Sequence, residues 1–362
     1  MERIREASLV SPFFVFFLVH SMQVGVGMLG FQRIIAKSAG YDSWISVILA
    51  GLMVHIIVWI MYKILNHSKG DIIDVHKEVF GKWIGGFLSL FLIVYFMTMS
   101  VTVLRTYIEV IQVWMFPEFS VWVFGFFTLV LAYYIILGGF RTVTGISFFS
   151  VVLPFYIILV VFYPLDYAHV RNLWPIMNHS FLDIAKASKD MTLSVIGFET
   201  LLLYYPFIKN PEKSQKWAHL GVLATTMLYL IAAITATMFF SADQLDKKIW
   251  ATLSMFKVVI MPFVERFEYV GIASWFLVIL PNICIPLWGA SRGLKKVFSV
   301  QQRKVLLFIL PVVLVATTLF KTRPQIDILN NYTSKFGLYA VFVYIPILFV
   351  ITLVNRKLRE KK

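Results

Sequence analysis

The sequence predicts an all-α integral membrane protein of about ten membrane-spanning helices, arranged as a 5+5 inverted repeat whose first and sixth helices are broken. Three observations lead to this fold class. Of the 362 residues, 59% are hydrophobic and 14% are charged, and the mean hydropathy is +0.81; a soluble domain carries roughly 25% charged residues. Apolar runs long enough to cross a bilayer recur along the whole chain. Glycines interrupt the middle of the first and the sixth of these runs.

A window of about 20 residues places the spans at 9–37, 44–65, 83–115, 121–138, 142–163, 190–208, 217–240, 268–294, 303–320 and 336–355. We expect one polytopic membrane domain over 1–362. Its first repeat is predicted at 1–175, its second at 176–355, and a basic cytoplasmic tail at 356–362. Outside the spans, 71–82 is predicted to form an amphipathic inner helix. Residues 249–262 are predicted to form an outer helix, either a lid or a simple connector.

Basic residues predict that both chain ends are cytoplasmic. An even number of spans puts the two ends on one side of the membrane, and about 20 Lys and Arg residues lie on that side against about 12 in the opposite loops. Topology and contact with lipid headgroups therefore explain the net charge of +14. We expect membrane lipid as a partner and no nucleic acid.

The two interrupted spans predict a ligand site near the membrane midplane. The first break is Gly25-Val26-Gly27 followed by Met28, and the second is Gly197-Phe198-Glu199. Each glycine costs a helix about 1 kcal/mol relative to alanine. Backbone groups freed at membrane depth are tolerated only where they are buried in protein or line a cavity. Matching interruptions in corresponding spans of two inverted halves are typical of the substrate site of secondary transporters.

The chemistry of helix ends predicts a zwitterionic ligand. The N–H groups after the first break, at about Val26 to Leu29, suit a carboxylate. The carbonyls before the second break, near Val195 to Gly197, suit an ammonium group, and Glu199 lies beside them. An ionisable residue near the midplane usually marks a ligand or proton pathway. Glu199 is thus expected to bind the ligand ammonium or a proton; alternatively it pairs with a neighbouring helix or stays protonated.

Four further polar residues are candidates. Thr98 lies near the centre of the third span, and Asn282 in the eighth span either lines the site or bonds two helices together. Arg105 and Glu109 are four residues apart and share one helix face. They predict an ion pair that ties the third span to a neighbour, or alternatively a gate or a partner contact.

No motif predicts an enzyme. The sequence has no His-Glu-x-x-His, no glycine-rich phosphate loop after a strand, and no nucleophilic triad on a soluble domain. We therefore expect no catalytic residues and no cofactor. Cys284 is the sole cysteine, so an intrachain disulfide is impossible and we expect no metal site.

Three stretches resemble the spore germination B-subunit family. They are Ala39-Gly40-Tyr41-Asp42-Ser43-Trp44-Ile45-Ser46-Val47, then Val195-Ile196-Gly197-Phe198-Glu199-Thr200 leading into Tyr205-Pro206-Phe207-Ile208, and Val264-Glu265-Arg266-Phe267-Glu268-Tyr269. Their order and spacing match over nearly the whole chain. The resemblance implies membership of the amino acid–polyamine–organocation superfamily and a LeuT-like helix bundle.

The same resemblance implies a functional setting. It implies a B subunit of a nutrient germinant receptor in the spore inner membrane, working with a membrane-embedded A subunit and a lipoprotein C subunit. The expected germinant class is an amino acid, with sugars and nucleosides as alternatives. The competing function is a proton- or ion-coupled amino acid permease, since both functions need the same midplane site.

Overall fold

The computed structural model describes residues 4–68, 70–260 and 264–360, and these residues are helical apart from turns and one isolated backbone bridge. Parts of the predicted tail 356–362 and of the predicted helix 249–262 fall at 361–362 and 261–263, outside the described residues.

The described helices make up ten spans. In the first half, the helices are Val15–Gln23 (span 1a) and Phe31–Ala39 (span 1b), Ser43–Ser68 (span 2), the part of Ile72–Trp114 after Gly81 (span 3), Val121–Leu137 (span 4), and Phe140–Val152 with Tyr156–Val160 (span 5). The sixth span consists of Phe181–Asp190 with Thr192–Val195 (span 6a) and of Leu201–Tyr204 with its flanking 3-10 turns (span 6b). The remaining helices are Gln215–Phe239 (span 7), Phe267–Phe298 (span 8), Gln302–Leu319 (span 9), and Arg323–Tyr339 with Ile345–Glu360 (span 10).

Length and composition agree with this assignment. Within the described residues, seven helical stretches are each long and apolar enough to cross a membrane, and they carry spans 1b with 2, 3, 5, 7, 8, 9 and 10. Span 1a and the 17-residue span 4 are apolar but shorter. Span 6 does not qualify because its break divides it into short pieces.

Both predicted breaks are non-helical. Span 1a ends at Gln23, and a 3-10 turn at Val26–Leu29 separates it from span 1b. In span 6 the helix ends at Val195, and Gly197 has φ +116°, a left-handed conformation that glycine adopts without strain. A Cβ on Gly197 would also lie 2.5 Å from the carbonyl oxygen of Met22, so the two breaks are in direct contact.

Two predicted boundaries were wrong. Span 6 begins at Phe181 rather than at 190, where Ser180 and Asp183 form a capping box. Span 10 begins at Arg323 rather than at 336. In both places the first helical turns are polar, so a hydropathy window assigns them to loops. The predicted outer helix is also shorter than expected: within 249–260 only Ala251–Phe256 is helical.

The helix between spans 2 and 3 has the predicted inner amphipathic form. Asp71 caps it by accepting hydrogen bonds from the N–H groups of Ile73 and Asp74. Gly81, with φ +78°, separates this helix from span 3. Lys296 at the inner end of span 8 lies 2.6 Å from Asp71 and so ties the inner helix to the bundle.

Span 8 lies at the centre of the bundle, against spans 1a, 3 and 5. Span 7 packs on spans 1a and 2, and span 6a packs on spans 1b and 2. Continuous helices therefore pack against both broken ones, which allows the freed backbone groups to face protein rather than lipid.

Candidate functional site

A cavity of about 120 Å³ lies between the two breaks. Its lining includes Met22, Gln23, Gly25, Val26 and Gly27 from span 1, Leu193, Ser194 and Ile196 from span 6a, Met99, Thr102 and Thr106 from span 3, Tyr229, Asn282, and Arg323, Asn330 and Thr333 from span 10. The wall thus mixes apolar side chains with a few polar groups, as small-molecule sites do.

Two amide oxygens on this wall have no protein partner. Gln23 and Asn282 are each only 3% exposed. The Gln23 amide nitrogen donates to the Val195 carbonyl at 2.8 Å, and the Asn282 amide nitrogen donates to the carbonyls of Ser21 and Met22 at 3.0 and 2.9 Å. These carbonyl partners fix the orientation of both amides, because a flipped amide would turn oxygen against oxygen. The oxygens Oε1 of Gln23 and Oδ1 of Asn282 have no donor among the described residues. The site therefore contains two buried acceptors that suit an ammonium group.

The first break adds two backbone donors. Val26 and Gly27 begin the 3-10 turn, so their N–H groups have no acceptor within it. Among the described residues, neither N–H donates to a backbone carbonyl outside the turn. The site thus offers donors for a carboxylate and acceptors for an ammonium group, which are the two charged groups of a zwitterion.

The structure brings some of the predicted site residues together. Gly25, Val26, Gly27 and Asn282 line the cavity. Met28 lies on the other side of the break, where it lines a second, smaller cavity of about 60 Å³.

Thr98 and the residues of the second break lie outside the cavity lining. The Thr98 hydroxyl donates to the carbonyl of Val94, one turn earlier in span 3. Gly197 and Phe198 are likewise not among the described residues that line the cavity. Phe198 is fully buried in the bundle core.

The carboxylate of Glu199 also does not line the cavity. One of its oxygens accepts from the Tyr95 hydroxyl at 2.6 Å, and the other accepts from the N–H of Gly197 at 2.7 Å. The side chain therefore connects span 3 to the break of span 6. Its predicted contact with a ligand ammonium remains a prediction, and the amide oxygens of Gln23 and Asn282 are better placed for that contact.

Arg105 and Glu109 have different partners rather than each other. The Arg105 guanidinium donates to the carbonyls of Phe320 and Lys321 at the outer end of span 9. Glu109 forms an ion pair with Arg323 of span 10 at 2.7 Å. The expected link from span 3 to a neighbour is therefore present, but it joins Glu109 to span 10.

The outer connection between spans 7 and 8 covers the cavity. Ile249 and Trp250 line both the cavity and an outer vestibule of about 1310 Å³, and Arg323 does the same. These three residues, here called the outer wall, separate the two spaces. A Cβ on Gly30 would lie 2.3 Å from the Ile249 carbonyl oxygen. The outer connection can approach the first break this closely only because residue 30 is glycine.

Thr252 fixes the same connection to span 1. Its hydroxyl donates to the carbonyl of Met28 at 2.8 Å and accepts from the amide of Gln32 at 2.7 Å.

The inner ends of the two broken spans are clamped together. Val10 and Ile208 form a parallel backbone bridge. In it, the N–H of Val10 donates to Phe207, and the N–H of Lys209 donates to Val10, at 2.9 and 2.8 Å. The Arg141 guanidinium donates to the carbonyl of Leu9. These contacts, here called the inner clamp, join the ends of the two broken spans.

Sequence reasoning missed Gln23, Trp250 and Arg323. Gln23 stands two residues before the first glycine, and an amide at the end of a half-helix was the available signal. Arg323 was assigned to a loop by its hydropathy, and nothing in the local pattern around Trp250 relates it to the first break.

Comparison with known proteins gives the family. The family model described as spore germination protein matches residues 9–326. The chain belongs to this spore germination protein family. It is 47% identical to the spore germination protein GerQB of Bacillus cereus over 97% of this chain and 98% of that protein. It is also 24% identical to spore germination protein A2 of Bacillus subtilis, over 95% of both chains.

Solved structures give the fold. A Na⁺-coupled sialic acid symporter in a substrate-bound outward-open state aligns with a TM-score of 0.66 at 13% identity, over 94% of this chain and 81% of that one. MhsT in complex with L-phenylalanine aligns with a TM-score of 0.62 at 12% identity, over 95% and 88%. The predicted LeuT-like bundle with broken first and sixth helices is confirmed. The chain is a multi-pass, permease-like membrane protein of a family whose class is not enzymatic.

Proposed function

We propose that this chain binds a small zwitterionic germinant, an amino acid, in the central cavity and signals its presence as the B subunit of a nutrient germinant receptor. The names of its relatives support the germination setting. The proposal places the chain in the spore inner membrane with both ends cytoplasmic. The A and C subunits of the receptor would read the conformation of this chain.

The observation that carries the proposal is the pair of unpartnered amide oxygens beside the first break. In the proposed complex, the ligand ammonium donates to Oε1 of Gln23 and Oδ1 of Asn282. The carboxylate accepts from the N–H groups of Val26 and Gly27, which have no acceptor within their 3-10 turn. A buried acceptor without a donor costs about 1–3 kcal/mol, so a ligand that supplies donors gains affinity by removing that cost.

The size of the cavity supports a small ligand. Its volume of about 120 Å³ is below the roughly 300–1,000 Å³ of pockets for drug-sized ligands. That space favours an amino acid with a small side chain over a nucleoside. Met99 and Ile196 would form apolar walls for the side chain.

In this proposal, two closed regions, one on each side of the cavity, link ligand binding to signalling. The outer wall covers the cavity through Trp250 and Arg323, and the inner clamp closes the other side. A ligand that binds the covered state more tightly than the open state shifts the equilibrium between them. Partner subunits that contact one state more favourably would then respond to the ligand.

Ligand-dependent thermal stabilisation of the purified chain in lipid nanodiscs tests the binding step. Each of the twenty amino acids is added separately, and we expect a small subset to raise Tm saturably. For each positive amino acid, the corresponding amine without the carboxylate and the corresponding acid without the amino group serve as matched controls. We expect neither control to stabilise the protein. If no amino acid raises Tm, or if both controls match the parent compound, the proposed ligand class is wrong.

The competing function is an ion-coupled permease, which the LeuT-like fold equally supports. Uptake of the radiolabelled stabilising amino acid into proteoliposomes that contain this chain alone separates the two. A sensor is expected to bind without accumulating the label. Accumulation driven by an ion gradient would establish the permease instead.

A further inference from the structure

The end of span 1a has the backbone groups that can hold a cation. In secondary transporters, unwound carbonyls and the C-terminal ends of half-helices coordinate the coupling Na⁺ or H⁺. One structurally similar protein is described as a Na⁺-coupled symporter. The corresponding groups of this chain are the last carbonyls of span 1a, which carry the partial negative charge of the helix end.

Protein donors already occupy these carbonyls. The carbonyls of Ser21 and Met22 both accept from the amide nitrogen of Asn282, at 3.0 and 2.9 Å. The carbonyl of Gln23 accepts from the Tyr229 hydroxyl at 3.0 Å. One turn earlier, the carbonyl of His20 accepts from the N–H of Val24 at 3.0 Å. A sodium ion at this point would have to displace hydrogen bonds rather than fill an open set of oxygens.

Packing holds the Asn282 amide in place. It is 3% exposed, and a Cβ added to Gly25 would lie 3.3 Å from its nitrogen. The amide nitrogen therefore lies beside the first break, where its two hydrogen bonds to Ser21 and Met22 hold it. Displacing it would leave a buried NH₂ group without acceptors, which costs about 1–3 kcal/mol.

We propose that the amide group of Asn282 takes the place of a sodium ion at the break of span 1, so that the site works without sodium. The two N–H bonds supply the partial positive charge that the helix end requires. Asn282 also lines the cavity, and its side-chain oxygen has no donor among the described residues. Asn282 is thus a positioning residue for the break as well as a part of the proposed ligand site. The inference deepens the proposed function and rests on it for the ligand contact of Asn282, whereas the contact of its amide nitrogen with the break does not depend on a ligand.

Sodium itself is the probe in the test, and no germinant is added. The purified chain in nanodiscs is heated in up to about 200 mM NaCl, with choline chloride keeping the ionic strength constant. We expect the wild-type Tm to stay within about 1 °C across the series, because a ligand that does not bind the folded state does not stabilise it.

Asn282→Asp should make Tm depend on the sodium concentration. It replaces the amide donors with a carboxylate that faces two carbonyl oxygens, an arrangement that requires a cation. At about pH 9, where a free carboxyl is ionised, Tm of this variant should rise saturably by about 2–4 °C or more with NaCl. Asn330→Asp is the matched control. Asn330 lines the same cavity, but its oxygen already accepts from the Thr106 hydroxyl at 3.1 Å, so this variant should show no sodium response.

Two results overturn the inference: a saturable sodium-specific rise of the wild-type Tm, or no sodium response in Asn282→Asp. If that variant does not fold, binding of radioactive sodium to the wild type decides, and label displaced by unlabelled NaCl refutes the proposal. These outcomes are separate from those of the proposed function. If no amino acid binds while the wild type proves sodium-independent, the proposed function fails and the role of Asn282 at the break stands.

Discussion

Gln23→Met is the most direct test of the proposed ammonium site. Methionine matches the length of glutamine but has neither the unpartnered amide oxygen nor the nitrogen that donates to the Val195 carbonyl. A hydrogen bond to a charged group contributes about 1.5–3 kcal/mol. At 1.4 kcal/mol per tenfold change, losing the bond to the ligand ammonium should weaken binding about 10- to 150-fold.

The unpartnered Val195 carbonyl adds a separate effect. It should lower the free energy of unfolding by about 1–3 kcal/mol with or without ligand. The assay must therefore separate affinity from stability. We propose titrating the amino acid that stabilises the wild type and comparing midpoints of the Tm shift between samples with equal amounts of folded protein.

Gln32→Met provides the matched control. Gln32 is also a buried glutamine of span 1 with an unpartnered oxygen, but its amide nitrogen donates to Thr252 and its side chain does not line the cavity. Its midpoint should change by no more than about threefold, equivalent to about 0.7 kcal/mol. A Gln23→Met midpoint as close to the wild type as that of Gln32→Met would refute the assignment of the ammonium to this wall.

Three further predictions concern the surroundings of the cavity. Glu199→Gln should lower Tm by about 2–4 °C because one charged acceptor is lost, while the ligand midpoint moves by no more than about threefold; a shift above tenfold at matched protein levels would show that the carboxylate reaches the ligand. Glu109→Gln breaks the ion pair with Arg323 at 2.7 Å and should speed ligand dissociation about 3- to 10-fold with little change in association; filter-binding dissociation rates measure this, and unchanged rates would remove the pair from the outer wall's closure. A cysteine placed in 166–189 of a Cys284→Ala background should react with an impermeant thiol reagent added from outside; labelling only after permeabilisation would reverse the predicted orientation.

The sequence was sufficient to predict the architecture because the bilayer restricts which residue patterns can span it. Hydropathy identified ten spans, and glycine-rich interruptions identified both breaks, since few residue patterns are tolerated at membrane depth. The same method failed at Phe181–Asp190 and at the start of span 10, beginning at Arg323. Both segments begin with polar helical turns near the outer ends of their spans, where a helix no longer needs to be apolar.

The side-chain contacts were less predictable because they depend on where each side chain points, which residue spacing alone does not determine. Arg105 and Glu109 share a helix face, but carbonyls at the end of span 9 and Arg323 of span 10 are nearer partners. The left-handed turn at Gly197 directs the next residues away from the cavity. For this reason, an acid beside a break could be found in the sequence, but the direction of its carboxylate could not.

The inner clamp has a practical consequence for following this protein at work. The amide hydrogens of Val10 and Lys209 are held in the bridge between the ends of the two broken spans. They can exchange with deuterium only when those ends separate, so their protection factors report how often the inner clamp opens. Mass spectrometry of peptides covering these two positions would thus read the conformational equilibrium directly, with no label attached. A tag fused close to residue 10 would disturb the same equilibrium, which favours the C-terminus for any fusion.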